Sequence, residues 1–82
     1  MAKGISTEVR NLIYKRFDGL CFLCGGYGSE IHHIIPRSEN KDLINEPSNL
    51  VLLCNSCHKL VTNIKPLYWK EFLIDEVTKR YG

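Results

Sequence analysis

The predicted fold class is α+β, a small ββα unit stapled by a four-cysteine metal site and flanked by a helix at each end. Three observations predict it. The cysteines form two C-x-x-C pairs, Cys21/Cys24 and Cys54/Cys57. Between the pairs lie two short apolar runs, EIHHII and NLVLL, rich in the β-branched and aliphatic residues that strands favour. Outside the pairs the apolar residues recur at helical spacing.

Each C-x-x-C pair can place two sulfurs on one tetrahedral ion, and two such knuckles close a structural zinc site. Gly25 and Gly26 give the first knuckle freedom to turn around an ion. Two disulfides, or four unrelated buried thiols, are the alternatives. The N-terminal MAKGISTEV lacks the apolar core of a secretion signal, so the expected compartment is cytoplasmic, where disulfides are uncommon. A thioredoxin-like role for either pair would need a βαβ setting, which the order of elements does not supply.

The elements follow in order. Ser6 or Thr7 caps a first helix over about 6–18, with Glu8 near its start. Val9, Leu12, Ile13, Phe17 and Leu20 fit one face, and Gly19 closes it. The first knuckle and a GGYGS loop come next. A strand is expected from Glu30 to Ile35, stopped by Pro36. Residues 36–48 (PRSENKDLINEPS) read as a long loop, which at this length is functional or mobile. Asn49 to Leu53 reads as the return strand. Asn55 or Ser56 then caps a short helix through Val61. Pro66 suits the first turn of a last helix over about 66–80, in which Trp69, Phe72, Leu73 and Val77 share a face and Tyr81 lies beyond. That stripe reads as core or as a docking face.

The totals bound what this arrangement can do. At 82 residues the chain is one domain, 1–82, with a core at about 21–61. So short a chain buries little apolar surface and often needs a staple. A hydrophobic fraction of 44% argues against disorder. No apolar run is long enough to cross a bilayer. The net charge of +2 permits binding to a polyanion without demanding it.

Three polar features cluster on the ββα unit: His32 and His33 on the first strand, Asn49 at the start of the second, and His58 directly after Cys57. Four sulfurs already complete a zinc shell, so His58 is not needed there. On a helix it lies about 100° around from Cys57 and looks into the ββα groove. A second metal held by His32 and His58 would keep open positions for water or substrate, as a catalytic metal requires. His33 then stands beside it as a candidate general base, with an ordinary imidazole pKa of about 6.5. Neighbouring residues of an ideal strand point to opposite faces. For His32 and His33 to serve one phosphate, the strand must be distorted there or the substrate must straddle its end.

The joint pattern C-x-x-C, H-H-I-I-P-R, N-L-V-L-L-C-x-x-C-H closely resembles the HNH endonucleases, whose core is the ββα-metal (His-Me finger) fold. The resemblance covers Cys21 to Val61, about half the chain. It implies a metal-dependent endonuclease that hydrolyses DNA phosphodiester bonds, leaving 5′-phosphate and 3′-hydroxyl ends. It also implies roles: His32 and His58 as ligands of the catalytic ion, His33 as the base that activates water, and Asn49 as the residue that orients the base and braces the loop. The cysteines match the structural zinc of many members. The catalytic ion implied by the family is Mg²⁺ or Mn²⁺, whereas two imidazoles also suit Ni²⁺ or Zn²⁺. Arg37 is placed to hold a phosphate bidentately, a plain surface arginine being the alternative. Lys59 and Lys65 are weaker candidates for backbone contacts, better read as a solvated face. No second reading module is evident, so DNA would be held mostly through its backbone phosphates. Compact domains of this kind resemble those of phages and mobile elements, where a protein partner directs the cut.

Two rival readings stand beside the nuclease. One is a non-catalytic zinc-stapled module that binds nucleic acid or protein, which leaves His32, His33, Asn49 and His58 unexplained as a set. The other is a scaffold in a larger assembly, suggested by Trp69, Phe72 and Tyr81.

Overall fold

A computed structural model describes residues 5–36 and 38–81. The order is helix α1 (Thr7–Arg16), strand β1 (Glu30–His33), strand β2 (Leu50–Leu53), helix α2 (Asn55–Asn63) and helix α3 (Pro66–Tyr81). This is the α+β arrangement the sequence predicts, with several boundaries moved.

The start of α1 is set by Ser6, whose Oγ accepts the Val9 N–H at 3.2 Å. Glu8 in the first turn and Lys15 and Arg16 in the last suit the helix dipole. The helix ends two residues before the expected limit. Asp18 turns left-handed at φ 55°, and the Gly19 N–H bonds back to the Tyr14 carbonyl at 2.8 Å. Ile13 and Phe17 are buried, whereas Leu12 and Leu20 are each 43% exposed. The expected apolar face is therefore narrower than its spacing implied. Leu20 has already left the helix and bridges to Tyr27.

β1 and β2 pair antiparallel, with Glu30 opposite Leu53 and His33 opposite Leu50. All four residues of β2 are fully buried. On one face the knuckle approaches so closely that a Cβ at Gly28 would stand 2.4 Å from Leu52 Cγ. The Leu52 carbonyl also accepts the Phe22 N–H at 2.9 Å, a partner beyond β1. A strand covered on both sides carries a continuous apolar run rather than an alternating one, which is what LVLL supplies. Burying each such side chain contributes on the order of 1.5–3 kcal/mol.

β1 stops at His33 rather than Ile35. Ile34 and Ile35 bend away, and the Asn49 side chain takes the Ile35 backbone groups that a longer ladder would have used. Asn49 itself ends a 3₁₀ turn, Pro47–Asn49, instead of opening β2. A second 3₁₀ turn, Lys41–Leu43, is capped by Asn40. The loop over residues 36–48 thus has structure of its own, and Asn45 Oδ1 ties it to the Ser6 N–H at 2.7 Å.

The cap of α2 is Cys54, not Asn55 or Ser56: its Sγ accepts the Cys57 N–H at 3.4 Å. The helix runs to Asn63, two residues past Val61, before Lys65 breaks it at φ 50°. Pro66 opens α3 as expected. Leu73 and Val77 are fully buried, Trp69 and Phe72 pack partly buried against the core, and the Tyr81 ring meets Phe17 at 5.3 Å. The α3 stripe is spent on this chain's own core. Among its large apolar side chains α3 leaves Leu67, Tyr68, Ile74 and part of Tyr81 exposed.

Candidate active site and metal centre

A four-cysteine cluster brackets the two strands. Cys21 and Cys24 precede β1, and Cys54 and Cys57 follow β2, yet all four Sγ atoms lie within 4.8 Å of one another. None is in a disulfide. Tetrahedral Zn–S bonds of about 2.3 Å place sulfurs about 3.8 Å apart, and Cys24 Sγ lies 3.7 Å from Cys54 Sγ. Backbone N–H groups point at the sulfurs, from Cys24 to Cys21 at 3.5 Å and from Gly26 to Cys24 at 3.4 Å. The second of these turns has φ +79° at Gly25, a value side chains rarely adopt. Burial raises the Cys21 thiol, but backbone N–H donors outweigh it and draw the pKa down to about 6. Cys57 is pushed up, first by burial and then by its neighbouring thiols. Four crowded sulfurs resist carrying charge together unless a cation joins them. Geometry and charge both fit one tetrahedral ion such as zinc.

The second cluster lies on the Glu30–His32 face of β1. Glu30 and His32, two apart on a strand, share a side, and α2 lays His58 over it. His58 Nδ1 hydrogen-bonds Glu30 Oε1, and Asn55 Nδ2 donates to Glu30 Oε2 at 2.8 Å. The Asn55 amide first, and His58 second, hold the Glu30 carboxyl below the usual range. An ionised carboxylate only accepts, so Nδ1 of His58 carries the proton and the lone pair of the neutral ring sits on Nε2. The His32 ring meets that of His58 at 5.1 Å. Burial, followed by the two neighbouring histidines, lowers the His32 pKa to about 4. It is therefore neutral near pH 7, the form in which imidazole binds metal. Among the described residues, no third His, Cys, Asp or Glu donor converges with these two.

His33 points to the other side of β1, and its Nε2 lies 3.1 Å from the Ile44 carbonyl. A carbonyl only accepts, so Nε2 carries the proton and Nδ1 the lone pair. Asn49 is buried, at 5% exposure, and its amide is fully used. Oδ1 accepts the Ile35 N–H at 2.8 Å, and Nδ2 donates to the Ile35 and Leu43 carbonyls at 3.1 and 3.4 Å. Leu43 adjoins Ile44, so Asn49 fixes the segment whose carbonyl meets His33. Because β1 ends at His33, both histidines line one cleft of about 200 Å³.

Residues 20–63, more than half the chain, match the family model of the HNH endonucleases. This chain belongs to the HNH endonuclease family. Two curated proteins are similar to it in sequence. A probable HNH endonuclease of Lactococcus phage SK1 is 39% identical over 62 residues, 67% of this chain and 66% of its own length. A mitochondrial DNA mismatch repair protein mutS homolog of Sarcophyton glaucum is 43% identical over 56 residues, 61% of this chain but 6% of its own. The HNH match ends at residue 63, so α3 lies beyond it.

This HNH domain contains site features that its sequence did not announce. Glu30 is the main one. A strand-opening acid reads as a solvated residue, and its one sequence signal is the i, i+2 relation to His32. Lys70 of α3 also lines the histidine cleft, paired with Glu39 at 3.0 Å. Arg37 lies outside the described residues. Lys59 and Lys65 are exposed. No described helix is long and apolar enough to cross a membrane.

Proposed function

We propose that this HNH domain hydrolyses phosphodiester bonds in DNA, with His33 as the base that activates water. What carries the reading is the bond between His33 Nε2 and the Ile44 carbonyl. It fixes the tautomer in which Nδ1 can take a proton, in a cleft that His32 also lines, and the His32 ring in turn meets that of His58. Asn49 acts as a positioning residue, holding Leu43 and Ile35 and through them the loop and the strand end. His32 and His58 would hold a divalent cation, Mg²⁺ or Mn²⁺ with Ni²⁺ or Zn²⁺ as alternatives. When bound, such an ion would supply Lewis-acid stabilisation of charge on the phosphate oxygens. Glu30 fixes the His58 ring, as carboxylates do for metal-bound histidines. Arg37 follows the cleft-lining Pro36 and is assigned as a phosphate contact. DNA as substrate is supported by the family and by the mismatch-repair relative.

Plasmid nicking with added Mg²⁺ or Mn²⁺ tests the reading. Positioned general bases contribute about 10²–10⁴-fold. His33→Ala should lose that factor with an unchanged circular dichroism spectrum. Equal rates in both proteins would remove His33 from the mechanism. A wild-type protein that binds DNA and never cuts it would favour the non-catalytic module.

A further inference from the structure

We infer that Lys70 is a substrate phosphate contact of this same cleft, supplied by α3 from beyond the family match, and that Glu39 holds it until DNA enters. The inference rests on the nuclease reading above and extends it to a residue outside the motif.

Lys70 is the one lysine or arginine among the described residues that lines the histidine cleft. The walls around it are largely apolar, from Ile34, Pro36, Val61 and Leu67. In this structure the Lys70 ammonium is paired with Glu39 Oε1 at 3.0 Å. The two partners differ in freedom. The Lys70 side chain is 28% exposed, whereas Glu39 is 53% exposed. Ion pairs at this exposure add little to stability, so Glu39 can swing into solvent at small cost. A phosphodiester entering beside His32 and His33 would bring its negative charge toward that carboxylate. Repulsion displaces Glu39, and Lys70 exchanges one anion for another. Lys59 and Lys65 lie exposed, and Lys79 is engaged with Asp75 and Glu76 of its own helix.

The competing account is a latch that ties the turn after Pro36 to α3. The two accounts predict opposite signs. A latch is lost equally when either partner is changed. A phosphate contact is lost in Lys70→Ala but released in Glu39→Gln.

The test is fluorescence anisotropy of a short labelled duplex across a salt series with no divalent ion added, alongside cleavage with Mn²⁺. Lys70→Ala should weaken binding several-fold and flatten the log–log salt slope by about 0.9, the value of one lost phosphate contact. Its KM should rise more than kcat falls, and Lys70→Arg should restore both. Glu39→Gln should tighten binding. Parallel weakening and parallel loss of Tm in Lys70→Ala and Glu39→Gln would overturn the inference, as would an unchanged salt slope in Lys70→Ala. Lys70→Gln, which keeps the aliphatic stem, repeats the measurement should the alanine variant fold poorly. Wild-type cleavage with indifferent variants sinks the phosphate contact alone. Variants that separate as expected in a protein that never cleaves would sink the nuclease reading and leave the contact standing.

Discussion

Single residues in this site act mostly by deciding where protons reside. His33 and His58 each set a ring nitrogen against a different acceptor, the Ile44 carbonyl and the Glu30 carboxylate, and each contact puts the N–H on that nitrogen. His58 depends on Glu30, whose carboxylate is held ionised chiefly by Asn55 and then by His58 itself. Replacing Glu30 by Gln keeps the shape but removes the charge that selects the Nδ1–H tautomer. Loss of such partners typically lowers metal affinity by about 10–100-fold. In Glu30→Gln the Mn²⁺ concentration for half-maximal cleavage should rise by that factor, while the rate at saturating Mn²⁺ stays near wild type. A metal titration of cleavage checks this; an unchanged midpoint would make Glu30 a structural residue only. The tandem histidines were legible because three histidines and an asparagine flanking C-x-x-C pairs form a rare joint pattern. Glu30 was not, since its i, i+2 relation to His32 is the one local mark it carries. Only the packing of α2 over β1 gives its carboxylate a purpose.

At the scale of elements, apolar spacing located the helices and strands, but their ends belonged to distant partners. Ile34 and Ile35 are as suited to a strand as Ile31. β1 nevertheless ends at His33, because Asn49, fourteen positions later, engages both backbone groups of Ile35. The same kind of substitution moved the α2 cap. Cys54 sulfur fills the role expected of Asn55 or Ser56, and Asn55 is released to hold Glu30. Asn49 is therefore the point where strand end, loop and His33 are coupled. Asn49→Ala strips partly buried backbone groups of their partners, where leaving a fully buried group unsatisfied costs about 1–3 kcal/mol. Denaturant unfolding should show a loss of that order, and the Ile35 amide should exchange its hydrogen faster. Cleavage should fall further than the folded fraction accounts for, because the Ile44 carbonyl no longer holds His33 in place. Wild-type exchange at Ile35 would show that the amide carries no bracing role.

The whole molecule is a small core closed by sulfur. Leu50 to Leu53, Ile13, Leu73 and Val77 are fully buried, but a chain of 82 residues buries a smaller share of its surface than a larger domain does. The cysteines come from both flanks of the sheet, so one ion held by all four would join the first knuckle, the end of β2 and the start of α2. Zinc binding in small peptides is worth about 10–16 kcal/mol near neutral pH, and that energy is folding energy. The two metal sites should then separate by strength. Four sulfurs should hold one zinc per chain through dialysis, whereas two imidazoles should release their ion readily. Removing weakly bound metal should end cleavage with helical circular dichroism intact, and added Mn²⁺ should restore it. Stripping the tight ion with excess EDTA should unfold the chain. Cys54→Ser confounds metal loss with loss of the α2 cap, so Cys24→Ser is the cleaner variant: Cys24 caps no helix. It should lose zinc by elemental analysis and melt far below wild type. A native spectrum and an unchanged Tm in zinc-free Cys24→Ser would mean that the apolar core suffices, and that the sulfur cluster serves something other than folding.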